Sequence, residues 1–304
     1  MSSNDATSMT NAVTASDVPR VGVVFRPQLP PERLPEFIAS AEAGGLDDVW
    51  LWEDCYLEGG VASAATALAW SRSLRIGLGL MPVPFRNPAL AAMEIATLAR
   101  LFPGRFVPAA GHGVLSWMDQ VGARVSSPMT LLREWVAAVR PLLHGQTVTV
   151  SGQYVRLNGV ALDWPPAAVP PLLVGARGPK TLALAGEIAD GLVLDADISP
   201  DGVRKAVATA AAVRPHDVVV YLPSAAGPGA RERIDAELAQ STRTSEHWSA
   251  VGSPEDVADA IRTFAAAGAT TVILQPTGDD PDVAATVRLA ADARAALRSG
   301  SGAG

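Results

Sequence analysis

Three observations in the sequence predict an α/β fold, a (β/α)8 TIM barrel. Short β-branched or leucine-rich runs alternate with longer, alanine-rich segments of helical spacing from Val21 onward. The alternation makes eight strand–helix units over about 280 residues, a length that suits one closed barrel. Glycine, charge and histidine gather after the strands, where the ligand-binding face of such a barrel lies. A doubly wound open sheet is the competing architecture.

VGVVF (Val21 to Phe25) reads as the first strand, and PPERLPEFIASAEAGG as the first helix, closed by Gly44 and Gly45. DVWLW (Asp48 to Trp52) gives the second strand and GGVASAATALAW the second helix. LRIGLGLMPV is the third strand. NPALAAMEIATLARLF follows as a helix, with Asn87 at the N-cap and Pro88 at the first position. RFVPAAGHG supplies the fourth strand with its loop, and SPMTLLREWVAAVRPLLHG the fourth helix. The alternation in TVTVSGQYVRLNGVAL predicts a short hairpin excursion before strand five, with a turn near Ser151-Gly152. Beyond the proline-rich DWPPAAVPP, PLLVG is the fifth strand. Pro179 then opens a helix whose apolar stripe includes Leu184 and Ile188. DGLVLDA and SPDGVRKAVATAAAV form the sixth unit, DVVVYLPSA the seventh strand, and Gly227 to Trp248 a mixture of loop and helix. SPEDVADAIRTFAAAGA starts with Ser253 and Asp256 at capping-box spacing. TTVILQP is the eighth strand and DPDVAATVRLAADARAAL the closing helix.

The 304 residues predict one barrel domain over 19–298, with a disordered N-terminal tail at 1–18 and a flexible C-terminal tail at 299–304. A net charge of −7 argues against a nucleic-acid surface. Cys55 is the single cysteine, which excludes an intrachain disulfide, and no Cys or His cluster has metal-ligand spacing. The N-terminus lacks the basic and apolar parts of a signal peptide, and no apolar run approaches the ~18 residues of a membrane span. A cytoplasmic protein without membrane or metal partners is the expectation.

The stretch GARGPKT after the fifth strand carries Arg177 and Lys180 around Gly178-Pro179, just where a helix begins. Free N–H groups at a helix start plus two cations suit an anion; a solvated βα turn is the alternative. Pro179 stands where a P-loop needs glycine, so ATP hydrolysis is not predicted. GLGLMP and GHGVLS both lack the third glycine of the dinucleotide pattern. His112 lies between Gly111 and Gly113, which would let a ligand approach the backbone; it is either a cofactor contact or a structural histidine. His144 suits the dipole at a helix C-terminus, while His216 and His247 have no motif around them. Glu53 and Asp54 follow the second strand and either handle a proton in the pocket or form a solvated strand end. Trp50 and Trp52 share a strand face that either floors the pocket or packs outward. Trp117, just beyond the glycine loop, either walls the pocket or packs in the core.

Together these segments resemble the bacterial luciferase-like superfamily. They are most similar to its coenzyme F-420 (F420)-dependent branch, the methylenetetrahydromethanopterin reductase-like enzymes. VWLWEDC, GGVASAATALA, IGLGLMPVPFRNPALAAMEIATLARLFPGRF, AAGHG, VGARGPKTLALAGEIADG and VGSPEDVADAIRTFAAAGATTVILQP carry the resemblance. It implies a deazaflavin in the barrel mouth, or FMN as the alternative, exchanging hydride with a small organic substrate. It implies a bulge, often with a non-prolyl cis peptide, at Gly79-Leu80 and extending to Met81, behind the ring. Gly111, His112 and Gly113 would then lie beside the cofactor chain, and Gly175, Ala176, Arg177, Gly178, Pro179 and Lys180 would form the turn that binds its phosphate. Trp52 and Trp117 would line the substrate pocket, with Glu53 and Asp54 as catalytic candidates and a homodimer as the assembly. Alcohol-oxidising members use an aspartate–histidine pair after strand two; Glu53-Asp54 stands there instead, which favours reduction of an activated C=C or C=N bond. The alternatives are a monooxygenase using reduced flavin and O2, and a non-catalytic cofactor-binding paralogue.

Overall fold

Eight parallel strands close on themselves in the computed structural model, which describes residues 18–300 apart from 197, 212–216, 240–247 and 281. Of the expected tails at 1–18 and 299–304, residues 1–17 and 301–304 lie outside the described residues, as do His216, His247 and part of the Gly227–Trp248 segment. The first half of the chain contributes β1 (Arg20–Phe25), α1 (Leu34–Ala43), β2 (Asp48–Leu51), α2 (Gly60–Trp70), β3 (Arg75–Pro82), α3 (Pro88–Leu101) and β4 (Phe106–Gly111). Next come α4 (Leu115–Gln120), α5 (Pro128–Leu143), and the strands β5 (Val148–Ser151) and β6 (Arg156–Val160). The second half runs β7 (Leu173–Gly175), α6 (Pro179–Ile188), β8 (Gly191–Leu194), α7 (Pro200–Ala210), β9 (Asp217–Ser224), α8 (Ala230–Leu238), α9 (Pro254–Ala266), β10 (Thr271–Pro276) and α10 (Val283–Gly300). Around the barrel the order is β1-β10-β9-β8-β7-β4-β3-β2. Every neighbouring pair in that ring is parallel, whereas β5 and β6 pair antiparallel as a separate ribbon.

Local chemistry accounts for the boundaries. The Asn87 side chain accepts a hydrogen bond from the Ala89 N–H at 2.9 Å, and Ser253 and Asp256 complete a capping box. Gly45 takes φ +66° after α1, a conformation that stops a helix cheaply only at glycine. The hairpin turn after Ser151 forms because the Glu134 carboxylate accepts from the backbone N–H groups of Gln153, Tyr154 and Val155. LSWMDQ forms the short helix α4, an element that the sequence pattern does not announce because it carries no side-chain cap. The closing helix runs on to Gly300, past the expected domain end at 298.

Two apolar layers result. An inner cluster of Val24, Trp50, Val107, Leu173, Tyr221 and Ile273 fills the barrel, and the larger outer cluster lies between strands and helices. Strands covered on both faces read as nearly continuous apolar runs, which is why the sequence showed them so clearly. The N-terminal end of the barrel is closed by charge: Asp48 is fully buried, with Arg75 Nε at 3.5 Å and Arg20 Nε at 3.9 Å. Burial pushes its carboxyl up to about 6, against the pull of the two arginines. Among the described residues no helix is long and apolar enough to cross a membrane, and no cluster of His, Cys, Asp or Glu could hold a metal ion.

Candidate functional site

The third strand is interrupted where the sequence placed its bulge. Its register against β4 shifts between Leu78 and Met81, and the Gly79–Leu80 peptide is cis. The bulge sends Leu80 across the C-terminal mouth of the barrel. A Cβ added at Gly111 or at Gly175 would stand 2.4 Å from Leu80 Cδ2, so glycine at both positions makes room for that side chain. Gly79 has a related constraint, because a Cβ there would lie 2.6 Å from the Tyr221 hydroxyl. Met81 is fully buried in the outer core. One half of the mouth is therefore made of backbone and one leucine.

The turn after β7 borders this half. Ala176 is buried and its N–H donates to the Val193 carbonyl at 3.2 Å. Gly178 caps α6 and Pro179 occupies the first helical position. The first intrahelical bond runs from the Leu182 N–H to the Gly178 carbonyl, so the N–H groups of Lys180 and Thr181 have no acceptor inside the helix. A Cβ at Gly178 would meet nothing within 4 Å, so a ligand has a clear approach to the backbone. Arg177 is mostly exposed and pairs with Asp195 at the end of β8, whereas Lys180 is exposed and forms no ion pair among the described residues. His112 sits beside the same turn, with Nε2 3.3 Å from Thr181 Oγ1. Burial lowers its pKa, an effect the Pro128 carbonyl partly offsets, so it stands there as a neutral imidazole. Gly113 takes φ +69° as the chain leaves β4.

The other half is aromatic and charged. Trp50 and Trp52 face the barrel interior, each standing edge-on to Tyr221 with centroids 6.0 and 5.5 Å apart. Arg26, just beyond β1, lies over the Trp52 ring at 5.6 Å. Its Nη1 donates to Glu237 at 2.8 Å and to the Pro276 carbonyl at 2.9 Å. Asp54 is half-buried; burial raises its pKa and Arg26 opposes the rise. Glu53, its neighbour, accepts both ends of the Arg86 guanidinium at 2.8 and 2.9 Å, and the same Arg86 reaches Glu94. Trp117 lies on α4, whose carbonyl accepts from the exposed Tyr56 hydroxyl at 2.9 Å.

The structure thus gathers Trp52, Asp54, Leu80, Gly111, His112 and the Gly175–Lys180 turn around one mouth, and sets Glu53 in an ion pair at its edge. Arg26, Tyr221 and Gln275 were not singled out in the sequence. Their signal was a polar side chain on the inward alternation of an otherwise apolar strand, at or just beyond its end for Arg26 and Gln275 and in its middle for Tyr221.

A closed parallel barrel with a bulged third strand and a cationic turn after the fifth defines a class of ligand-binding barrel whose working face is the C-terminal mouth. The chain belongs to the luciferase-like monooxygenase family, whose model matches residues 13–228. It is 33% identical over 181 residues to a 5,10-methylenetetrahydromethanopterin reductase of Methanolobus tindarius, covering 59% of this chain and 55% of that protein. A protein of the same name from Archaeoglobus fulgidus is 29% identical over 281 residues, 88% of this chain and 76% of that one. The chain therefore spans little more than half the length of the first of these relatives. Among solved structures, an F420-dependent secondary alcohol dehydrogenase in complex with an F420-acetone adduct superposes with a TM-score of 0.80 at 21% identity, covering 92% of this chain and 99% of that one. That likeness concerns the fold.

Proposed function

We propose that this chain is an F420-dependent oxidoreductase that passes hydride between the deazaflavin and a small organic substrate, in the direction of reducing an activated C=C or C=N bond. One observation carries the reading: the Gly175–Lys180 turn presents an uncompensated ammonium and two acceptor-free N–H groups beside the bulge at Gly79-Leu80. Those donors fit a phosphate at a helix start, and the open space at Gly178 lets it approach. Arg177, Lys180 and the free N–H groups of the turn would hold the phosphate, with buried Ala176 fixing the turn through its bond to Val193, and His112, wedged between Gly111 and Gly113, would border the chain that leads from it. Leu80 would support the ring from behind. When bound, the deazaflavin supplies a two-electron hydride at its C5. The protein's part is to orient the two reactants and to exclude water.

Of the two carboxylates after β2, Asp54 is the one that can hold or move a proton. Its carboxyl has no hydrogen-bonding side-chain partner among the described residues, and burial favours its protonated form. Glu53 is occupied as the anchor of Arg86. Trp52 and Trp117 would wall the substrate. A homodimer in a cytoplasmic setting is the assembly this reading carries. The same phosphate turn fits FMN, and the family takes its name from monooxygenases, so reduced flavin with O2 is the second reading.

Side-by-side equilibrium titrations with F420 and FMN test the choice. Saturable quenching of deazaflavin fluorescence with weaker FMN binding is the expected result. Tight FMN binding with none of the deazaflavin would overturn it.

A further inference from the structure

The mouth of the barrel is divided by charge, and the division bears on what the second reactant can be. On the turn side, Arg177 is paired with Asp195 while Lys180 stands uncompensated, which leaves excess positive charge where a phosphate would sit. The opposite side is the reverse. Arg26, its one inward cation among the described residues, already serves Glu237, the Pro276 carbonyl and the Trp52 ring. Glu237 in turn accepts from the Gly278 N–H at 2.7 Å, so this pairing is held from both ends. Asp54 is left as a carboxylate with only a through-space share of Arg26.

Two polar side chains face the same space with hydrogen-bonding capacity to spare. The Tyr221 residue is 4% exposed; the Trp52 indole N–H acts as a donor toward its hydroxyl, which leaves the hydroxyl's own proton without an acceptor. Gln275 is 9% exposed and shares the inward face of β10 with Ile273 of the inner cluster; its amide makes no hydrogen bond among the described residues. An unused donor or acceptor in a largely buried place is destabilising, so such groups mark places where a bound molecule completes the bonding.

We propose that the Asp54 side of the mouth selects a substrate whose reacting end bears a cationic nitrogen, an amine or iminium, and rejects anionic ones. Asp54, ionised by the incoming cation against the effect of its burial, supplies the countercharge, and Tyr221 and Gln275 supply neutral hydrogen bonds at the floor. A carboxylate or phosphate placed there would meet Asp54 and Glu237 with no free cation among the described residues to receive it, a repulsive element that sets specificity as strongly as an attraction does. The inference rests on the proposed function, since it assigns the two sides of one mouth to cofactor and substrate.

The test is a binding comparison on the full chain without cofactor, using benzylammonium, benzyl alcohol and benzoate of matched size and following the tryptophan fluorescence of the site. The expected order is benzylammonium, then benzyl alcohol, then benzoate, with the first and last separated by about tenfold or more. Asp54→Asn should collapse that gap, and Glu237→Gln, which releases Arg26, should strengthen benzoate binding. Benzoate binding as tightly as benzylammonium, or a ranking that Asp54→Asn leaves unchanged, would overturn the proposal. A titration of the same protein with F420 and FMN reads the proposed function separately: failure to bind either removes that function, while the probe ranking still decides the charge preference.

Discussion

Asp48 opens strand β2 and Asp54 follows its far end, and the two carboxylates have opposite fates. Asp48 lies at the N-terminal end of the barrel, wholly buried, with Arg20 and Arg75 on either side. Gly22 beside it has no room even for a methyl group, since a Cβ there would stand 2.4 Å from the Asp48 carbonyl oxygen. Asp54 lies at the C-terminal mouth, half-buried, with one arginine that other groups already occupy. At Gly178, on the same rim, an added Cβ would meet nothing. One end of the barrel is closed by packing and paired charge, and the other keeps space and uncompensated charge. The difference shows how the barrel separates stability from chemistry: charge at the packed end is enclosed and out of reach of a ligand, whereas uncompensated charge at the open end can meet one.

The largest expected effect breaks the closed end. Asp48→Ala opens a buried gap beside Arg20 and Arg75, both of which keep some contact with solvent, and truncation at such a packed site is destabilising by about 0.5–3 kcal/mol. Urea unfolding should show that loss, while the fraction that remains folded binds cofactor as before. Lys180→Ala does the converse: F420 affinity should weaken by about 1–2 kcal/mol, roughly five- to thirtyfold, for a lost charge-assisted contact. Chemical stability should stay unchanged, because Lys180 forms no ion pair among the described residues. Unchanged affinity would remove Lys180 from the phosphate site.

A pH series sharpens the contrast. The carboxyl of Asp48 is raised to about 6 in the fold from an ordinary 3.8. The folded state therefore binds the extra proton, and the stability this group contributes is complete below about pH 4 and lost as pH rises through about 6. Asp48→Asn should remove that slope from the unfolding free energy, and Asp54→Asn should leave it in place. The smallest change is Gly178→Ala. With φ −89° and open space, alanine should alter stability by no more than about 0.5 kcal/mol. Any loss it produces in cofactor affinity then reports crowding of the phosphate rather than damage to the fold.

Most of the barrel was legible because its determinants are local. Asn87, Ser253 and Asp256 cap their own helices, Gly45 ends its own, and strands buried on both faces announce themselves as apolar runs. The hairpin excursion was visible for the same reason. The helix at Leu115–Gln120 was not, since it is short, uncapped and held from outside by the Tyr56 hydroxyl. Within the site, the resemblance located the bulge but not its consequence, which is that Leu80 fills the space that Gly111 and Gly175 leave.

What the amino-acid order determined alone is the succession of strands and helices, their ends, and the turn in which two cations open a helix. Each of these rests on contacts within a few residues, so reading neighbours is enough. Tertiary structure decided which of two adjacent carboxylates is engaged: Arg86 takes Glu53 from 33 positions away and leaves Asp54 in the mouth. It also turned Trp50 and Trp52 inward against Tyr221 and committed Arg26 to Glu237 across 211 residues. Charge acts through space rather than along the chain, so whether a charged group is free to meet a ligand is settled only once the barrel has closed.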